Sequence, residues 1–203
     1  MKQSSLLLIL AFACIAARGA SADTITFNFS STPGNTTTAT YTSDGVTISA
    51  ASGTSADLFF KNGGGDETGL GLTPSSENEI NGGQSIVFDL SSLFSKNITS
   101  LSLALGSIQT GESGQACDAF GTCVAFGSSQ SGQLVDITSL FSEMQSKGSG
   151  TLTITAPNGN VLIDDLQATT SVPEPSSLLL LGTGILGMAG GLGRKMGRKL
   201  LAR

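Results

Sequence analysis

The chain has 203 residues, a net charge of −5, and neither histidine nor tryptophan. Without an imidazole, Ser-His-Asp and Cys-His nucleophilic catalysis are excluded, and Cys117 and Cys123 with no His do not complete a four-ligand zinc site. The charge is unevenly shared: residues 23–171 carry three lysines against fourteen acids, a net −11, whereas residues 172–203 carry five bases against Glu174, a net +4. An acidic outer region repels nucleic acid, which removes that partner class, and is compatible with divalent cations.

Residues 1–22 read as a secretory signal peptide. Lys2 supplies the positive start, Leu6 to Ala17 an apolar stretch, and Ala20-Ser21-Ala22 a small-x-small cleavage site, so the mature chain is expected to begin at Asp23. Cys14 lies inside the apolar stretch and not directly after the small residues, which argues against a lipoprotein.

Residues 23–171 are one domain's worth of chain, rich in Gly, Ser and Thr. Thr24 to Phe29 alternates, with Ile25, Phe27 and Phe29 on one side. Thr38 to Thr42 and Val46 to Ala50 follow, split by the turn signal Ser43-Asp44-Gly45. Leu58 to Phe60, Ser85 to Leu90, Ile98 to Leu105, Val124 to Phe126, Leu134 to Ile137, Thr151 to Thr155 and Asn160 to Gln167 complete the expected strands. Ser91 to Ser95 and Thr138 to Lys147 read as helical or turn-like, the second with Leu140, Phe141 and Met144 at helical spacing. Many short strands joined by polar turns predict an all-β sandwich, most simply a jelly roll.

Three constellations could carry chemistry. The loop from Asn62 to Asn81 offers Asp66, Glu67, Glu77 and Glu79 as hard oxygen ligands for Ca²⁺, or else is a solvated acidic loop. The pair Asp164-Asp165 closes the run Val161-Leu162-Ile163. Cys117 and Cys123, with Cys14 removed by processing, are the only two cysteines of an exported chain and are expected to form a disulfide.

The chain ends on residues 172–203. Val172-Pro173-Glu174-Pro175-Ser176-Ser177 is extended by its two prolines. The eighteen residues from Ser176 to Gly193 are uncharged and as a helix would reach roughly 27 Å, just under the roughly 30 Å hydrocarbon core. Residues 178–193 are the expected membrane span, in which Gly187 and Gly191 form a G-x-x-x-G pair. Arg194, Lys195, Arg198, Lys199 and Arg203 follow at once, and the positive-inside rule keeps that end in the cytoplasm.

This tail resembles the PEP-CTERM sorting signal, also known as an ice-binding-protein C-terminal domain. The resemblance covers residues 172–203 and implies recognition by an exosortase-type membrane transpeptidase in an exopolysaccharide-producing Gram-negative cell. It implies processing near Pro173-Glu174-Pro175 and delivery from the inner membrane to the cell surface or matrix. Gly69-Leu70-Gly71, Glu77-Asn78-Glu79-Ile80 and Gly111-Glu112-Ser113 resemble a recurrent outer domain of such proteins, which implies no particular activity. Ile163-Asp164-Asp165 looks like the last strand of carbohydrate-binding jelly rolls, which implies a structural Ca²⁺ held by Asp165 beside Asn28 of the first strand.

The leading expectation is a non-enzymatic surface or matrix protein associated with exopolysaccharide. The alternative is a Ca²⁺-assisted carbohydrate-binding module, although Tyr41 as the sole tyrosine leaves few rings for sugar stacking. Ice binding, suggested by the threonines between Thr36 and Thr42, and glycoside hydrolysis by a carboxylate pair are more remote.

Overall fold

The computed structural model describes residues 22–30, 34–52, 55–65, 67–171 and Gly184. The expected membrane span, the sorting residues Val172, Pro173, Glu174 and Pro175, the bases Arg194, Lys195, Arg198 and Lys199, the cleavage-site residue Ala20 and the ligand candidate Asp66 lie outside the described residues. Among the described residues no helix is long and apolar enough to cross a membrane.

Residues Asp23–Ser171 form one compact unit. Alternation of apolar and polar residues builds most of its strands. The first half holds β1 (Thr24–Asn28), β2 (Thr36–Thr38), β3 (Thr40–Ser43), β4 (Val46–Ala50), β5 (Asp57–Asn62), β6 (Thr68–Thr73), β7 (Ile80–Asn81) and β8 (Ser85–Asp89). The second half holds β9 (Ile98–Leu105), β10 (Ser113–Asp118), β11 (Cys123–Gly127), β12 (Leu134–Asp136), helix α1 (Thr138–Lys147), β13 (Thr151–Asn158), β14 (Asn160–Val161) and β15 (Ile163–Thr170). Ser91–Ser95 is a short 3-10 helix, as its sequence suggested.

Two antiparallel sheets result. The first runs β12-β9-β15-β6-β5-β2, with β1 also paired to β15; the second runs β11-β10-β13-β8-β4-β3, and β14-β7 is a separate two-stranded ribbon. The all-β, sandwich-like expectation is met. One apolar cluster lies between the sheets and includes Phe27, Phe29, Ile48, Phe60, Leu70, Phe88, Leu103, Ile154 and Leu166. Phe29 stands at its centre, 6.2 Å from the Phe88 ring and 6.3 Å edge-on to Tyr41. Burying each such ring contributes on the order of 2–3 kcal/mol. The first and last strands pair with each other, and Thr170 donates its amide to the Asp23 carbonyl at 2.8 Å. The unit therefore closes on itself and keeps its core within its own ends.

Helix α1 buries Leu140, Phe141 and Met144, as their spacing predicted. The Asp136 carboxylate accepts the Thr138 amide at its start, and Gly148 ends it in the left-handed conformation at φ 73°.

Three departures from the sequence reading are physical. The threonine run is not one strand: Thr36–Thr38 joins β5 in the first sheet and Thr40–Ser43 joins β4 in the second. It therefore does not form a single flat threonine face. The Gly-rich segment Thr68–Thr73 is a strand, not a loop. Leu70 and Leu72 enter the core while Gly69 and Gly71 face other backbone. Finally, the expected strand Asn160–Gln167 breaks at Leu162, whose amide and carbonyl bond to Ser107 and Gly106.

Candidate functional site

The acidic loop resolves into an ion cluster on the first sheet. β5 and β6 place Lys61 opposite Gly69, on the face away from the core. The chain after β6 folds back over that face. It fits because Gly71 has no side chain: a Cβ there would lie 2.1 Å from the Asn78 carbonyl oxygen. Glu77 and Asn78 take φ values of 60° and 57° to make this turn. Ser75 donates to the Glu79 carbonyl at 2.7 Å, which steadies the turn from inside.

Glu79 then points inward, 2% exposed, and its Oε1 accepts from Lys61 Nζ at 2.5 Å. Glu67 meets the same ammonium through Oε2. Burial pushes the Glu79 carboxyl up to about 7, against the pull of Lys61. Glu67 moves the other way: its hydrogen bond to Lys61, with help from Ser107, holds it below the ordinary range. Burial works against the Lys61 charge, but its bonds to Glu67 and Glu79 outweigh it and raise the ammonium. Of the four expected Ca²⁺ ligands, Glu67 and Glu79 therefore converge, yet on a lysine that supplies the positive charge. Glu77 is exposed. Among the described residues no group of three or more acidic, His or Cys side chains is arranged to hold a metal.

The second constellation lies on β15. Asn28 of β1 is the register partner of Asp165. The pairing of β15 with β9 slips between Ile163 and Asp165, leaving Asp164 as an extra residue. Asp165 is buried, and burial raises its carboxyl, opposed by Gln167 and reinforced by Asp164. Asp164 lines a cleft of about 360 Å³ with Ser30, Gly65, Thr68, Leu105, Gly106 and Gly132.

Cys117 and Cys123 are direct cross-strand partners in β10 and β11 and form a disulfide, with Cα atoms 4.1 Å apart. The Asp118 carboxylate accepts the amides of Phe120 and Thr122, and Gly121 turns at φ 90°. The bridge closes a hairpin end.

Two contributors escaped the sequence reading. Lys61 was not singled out, because its partners lie 6 and 18 residues away. Glu112 was noted only within a motif. Its carboxylate accepts the amides of Gln109 at 2.6 Å and Asn160 at 3.1 Å, which ties two loops together.

Comparison with known proteins places the tail. Residues 171–195 match the family model described as the PEP-CTERM protein-sorting motif. No curated protein and no solved structure matches the chain. The match starts at residue 171, where the compact unit ends. This chain thus carries a PEP-CTERM protein-sorting motif, joined in sequence directly to a folded β-domain.

Proposed function

We propose that this protein is an exported, non-enzymatic component of the cell surface or extracellular matrix. Residues 1–22 act as its signal peptide and residues 178–193 as a temporary membrane anchor. An exosortase cuts the tail near Pro173-Glu174-Pro175 and releases the β-domain among exopolysaccharide. The domain itself is read as a jelly roll, supported by the chain's repeated passage from one sheet to the other between β8 and β15.

The observation that carries the reading is the position of the sorting motif, which begins where the folded unit ends. A transpeptidase needs an accessible segment beyond a stable domain, and this division supplies one. The acidic charge of residues 23–171 and the disulfide fit a secreted domain. The test is fractionation of the native host with and without its exosortase. The expected result is a surface-located, shortened protein in the first and a membrane-retained, longer one in the second. Identical size and location in both strains would refute the proposal.

A further inference from the structure

The hairpin that joins β10 to β11 is held on both sides of its disulfide. Ala116 and Asp118 are turned inward and buried, so Cys117 between them lies on the outer face of the second sheet, opposite Cys123. On the strand side of the bridge the ladder runs on from Ala116 with Val124 to Ser113 with Gly127, and Phe126 is buried against Gly114, where any side chain would strike its ring. On the tip side Asp118 donates its amide to the Thr122 carbonyl at 3.0 Å, and its carboxylate accepts the amides of Phe120 and Thr122 at 2.8 and 2.9 Å. Lys147 of α1 rests 4.3 Å above the Phe120 ring. Opening the S–S bond therefore leaves the hairpin in place.

The two sulfurs are not equally reachable. Cys123 is exposed, whereas Cys117 is partly covered. Exchange begins with a thiolate that reaches one sulfur from solvent, so access selects Cys123 Sγ for attack and Cys117 Sγ as the leaving atom. Charge then selects the thiol. Residues 23–171 carry a net −11, and two of their three lysines, Lys61 and Lys147, are already paired with carboxylates. The summed field repels an anionic thiol and draws in one that carries an ammonium group.

We propose that the Cys117–Cys123 bridge is an exchange site for a small cationic thiol, which is captured on Cys123. The incoming thiolate forms a new S–S bond to Cys123 Sγ. The old S–S bond breaks, its electron pair leaves on Cys117 Sγ, and that sulfur takes a proton from water. One disulfide replaces another, so no outside oxidant or reductant is consumed. Return attack by Cys117 releases the thiol and restores the bridge. This site is independent of how the tail is processed.

The experiment uses residues 23–171, which close on their own core. The native domain is incubated with millimolar cysteamine at mildly alkaline pH and quenched at intervals with excess N-ethylmaleimide, which caps any freed cysteine. Peptide mass mapping is expected to find cysteamine on Cys123 and maleimide on Cys117, while circular dichroism stays that of the native sandwich. Compared per thiolate, cysteamine should react several-fold faster than the anionic 2-mercaptoethanesulfonate at about 0.01 M salt, and the advantage should fade at about 1 M. A bridge that opens only when urea unfolds the domain overturns the proposal. So does cysteamine found on Cys117 as often as on Cys123, or an equal rate for the two thiols at low salt.

Discussion

Two acidic pairs in this domain meet the same difficulty and resolve it differently. Glu67 and Glu79 are drawn onto Lys61, which reaches them across the outer face of the first sheet. Among the described residues Asp164 and Asp165 have no such lysine, and each keeps a buried oxygen without a partner. A buried carboxylate costs several kcal/mol unless opposite charge or donors compensate it. The first pair carries its cation within the chain. The second has further oxygen-bearing side chains beside it: Asn28 is the register partner of Asp165, and Ser30 and Thr68 line the cleft with Asp164. Acidic composition alone does not separate these cases; the deciding feature is whether a base lies within reach in the folded sheet.

The largest effect is expected from removing the internal cation. Lys61→Met leaves Glu79 buried without its partner and should lower stability by about 3–5 kcal/mol at pH 8, measured by urea unfolding. Little change would show that the ion cluster contributes nothing net.

The pH dependence sharpens the contrast. Glu79 has a folded pKa of about 7, raised above its unfolded value. Its contribution to stability is complete below about pH 4.5 and disappears as pH rises through about 7, a loss of about 3 kcal/mol over that window. Glu67, lowered, contributes above its unfolded value and loses that share as pH falls. Asp165, raised, has the same sign as Glu79. Glu79→Gln should flatten the main slope near neutrality in melts across pH, while Asp165→Asn should remove only the Asp165 share.

Removing the Cys117–Cys123 bridge, distant in sequence from both pairs, should cost about 2 kcal/mol for so short a loop. That loss should be the same at acid and at alkaline pH, which makes the double serine variant a control. The smallest effect has the opposite sign. At pH 8 Asp165→Asn should raise stability by about 1 kcal/mol, because it removes a buried charge rather than its partner. A loss in that variant would mean that the carboxylate is already compensated.

Much of the fold was legible in the sequence where side chains alternate. Ile86 and Phe88, or Val46 and Ile48, mark their strands by period-two burial. β6 was hidden because glycine normally weakens a strand. Gly71 is used there because the Asn78 backbone lies across it, a contact that exists only after folding. β10 was hidden because its inward residues, Gly114 and Ala116, are small and give no apolar signal. The disulfide was readable by elimination. The pairing of Asn28 with Asp165 was suggested by resemblance, but the bulge that brings Asp164 alongside could not be read from residue order. Lys61 was invisible for a related reason: an ion pair 18 residues apart leaves no local pattern. The sorting motif, by contrast, is a linear signal and was fully legible.

The central claim is that this β-domain reaches the cell exterior by losing its tail. Its most direct test is intact-mass analysis of the protein recovered from the surface fraction of its native host. The account predicts a chain that begins at Asp23 and ends near Pro173-Glu174-Pro175, without residues 178–203. A full-length species with both ends uncut, recovered with the cytosol, would contradict it.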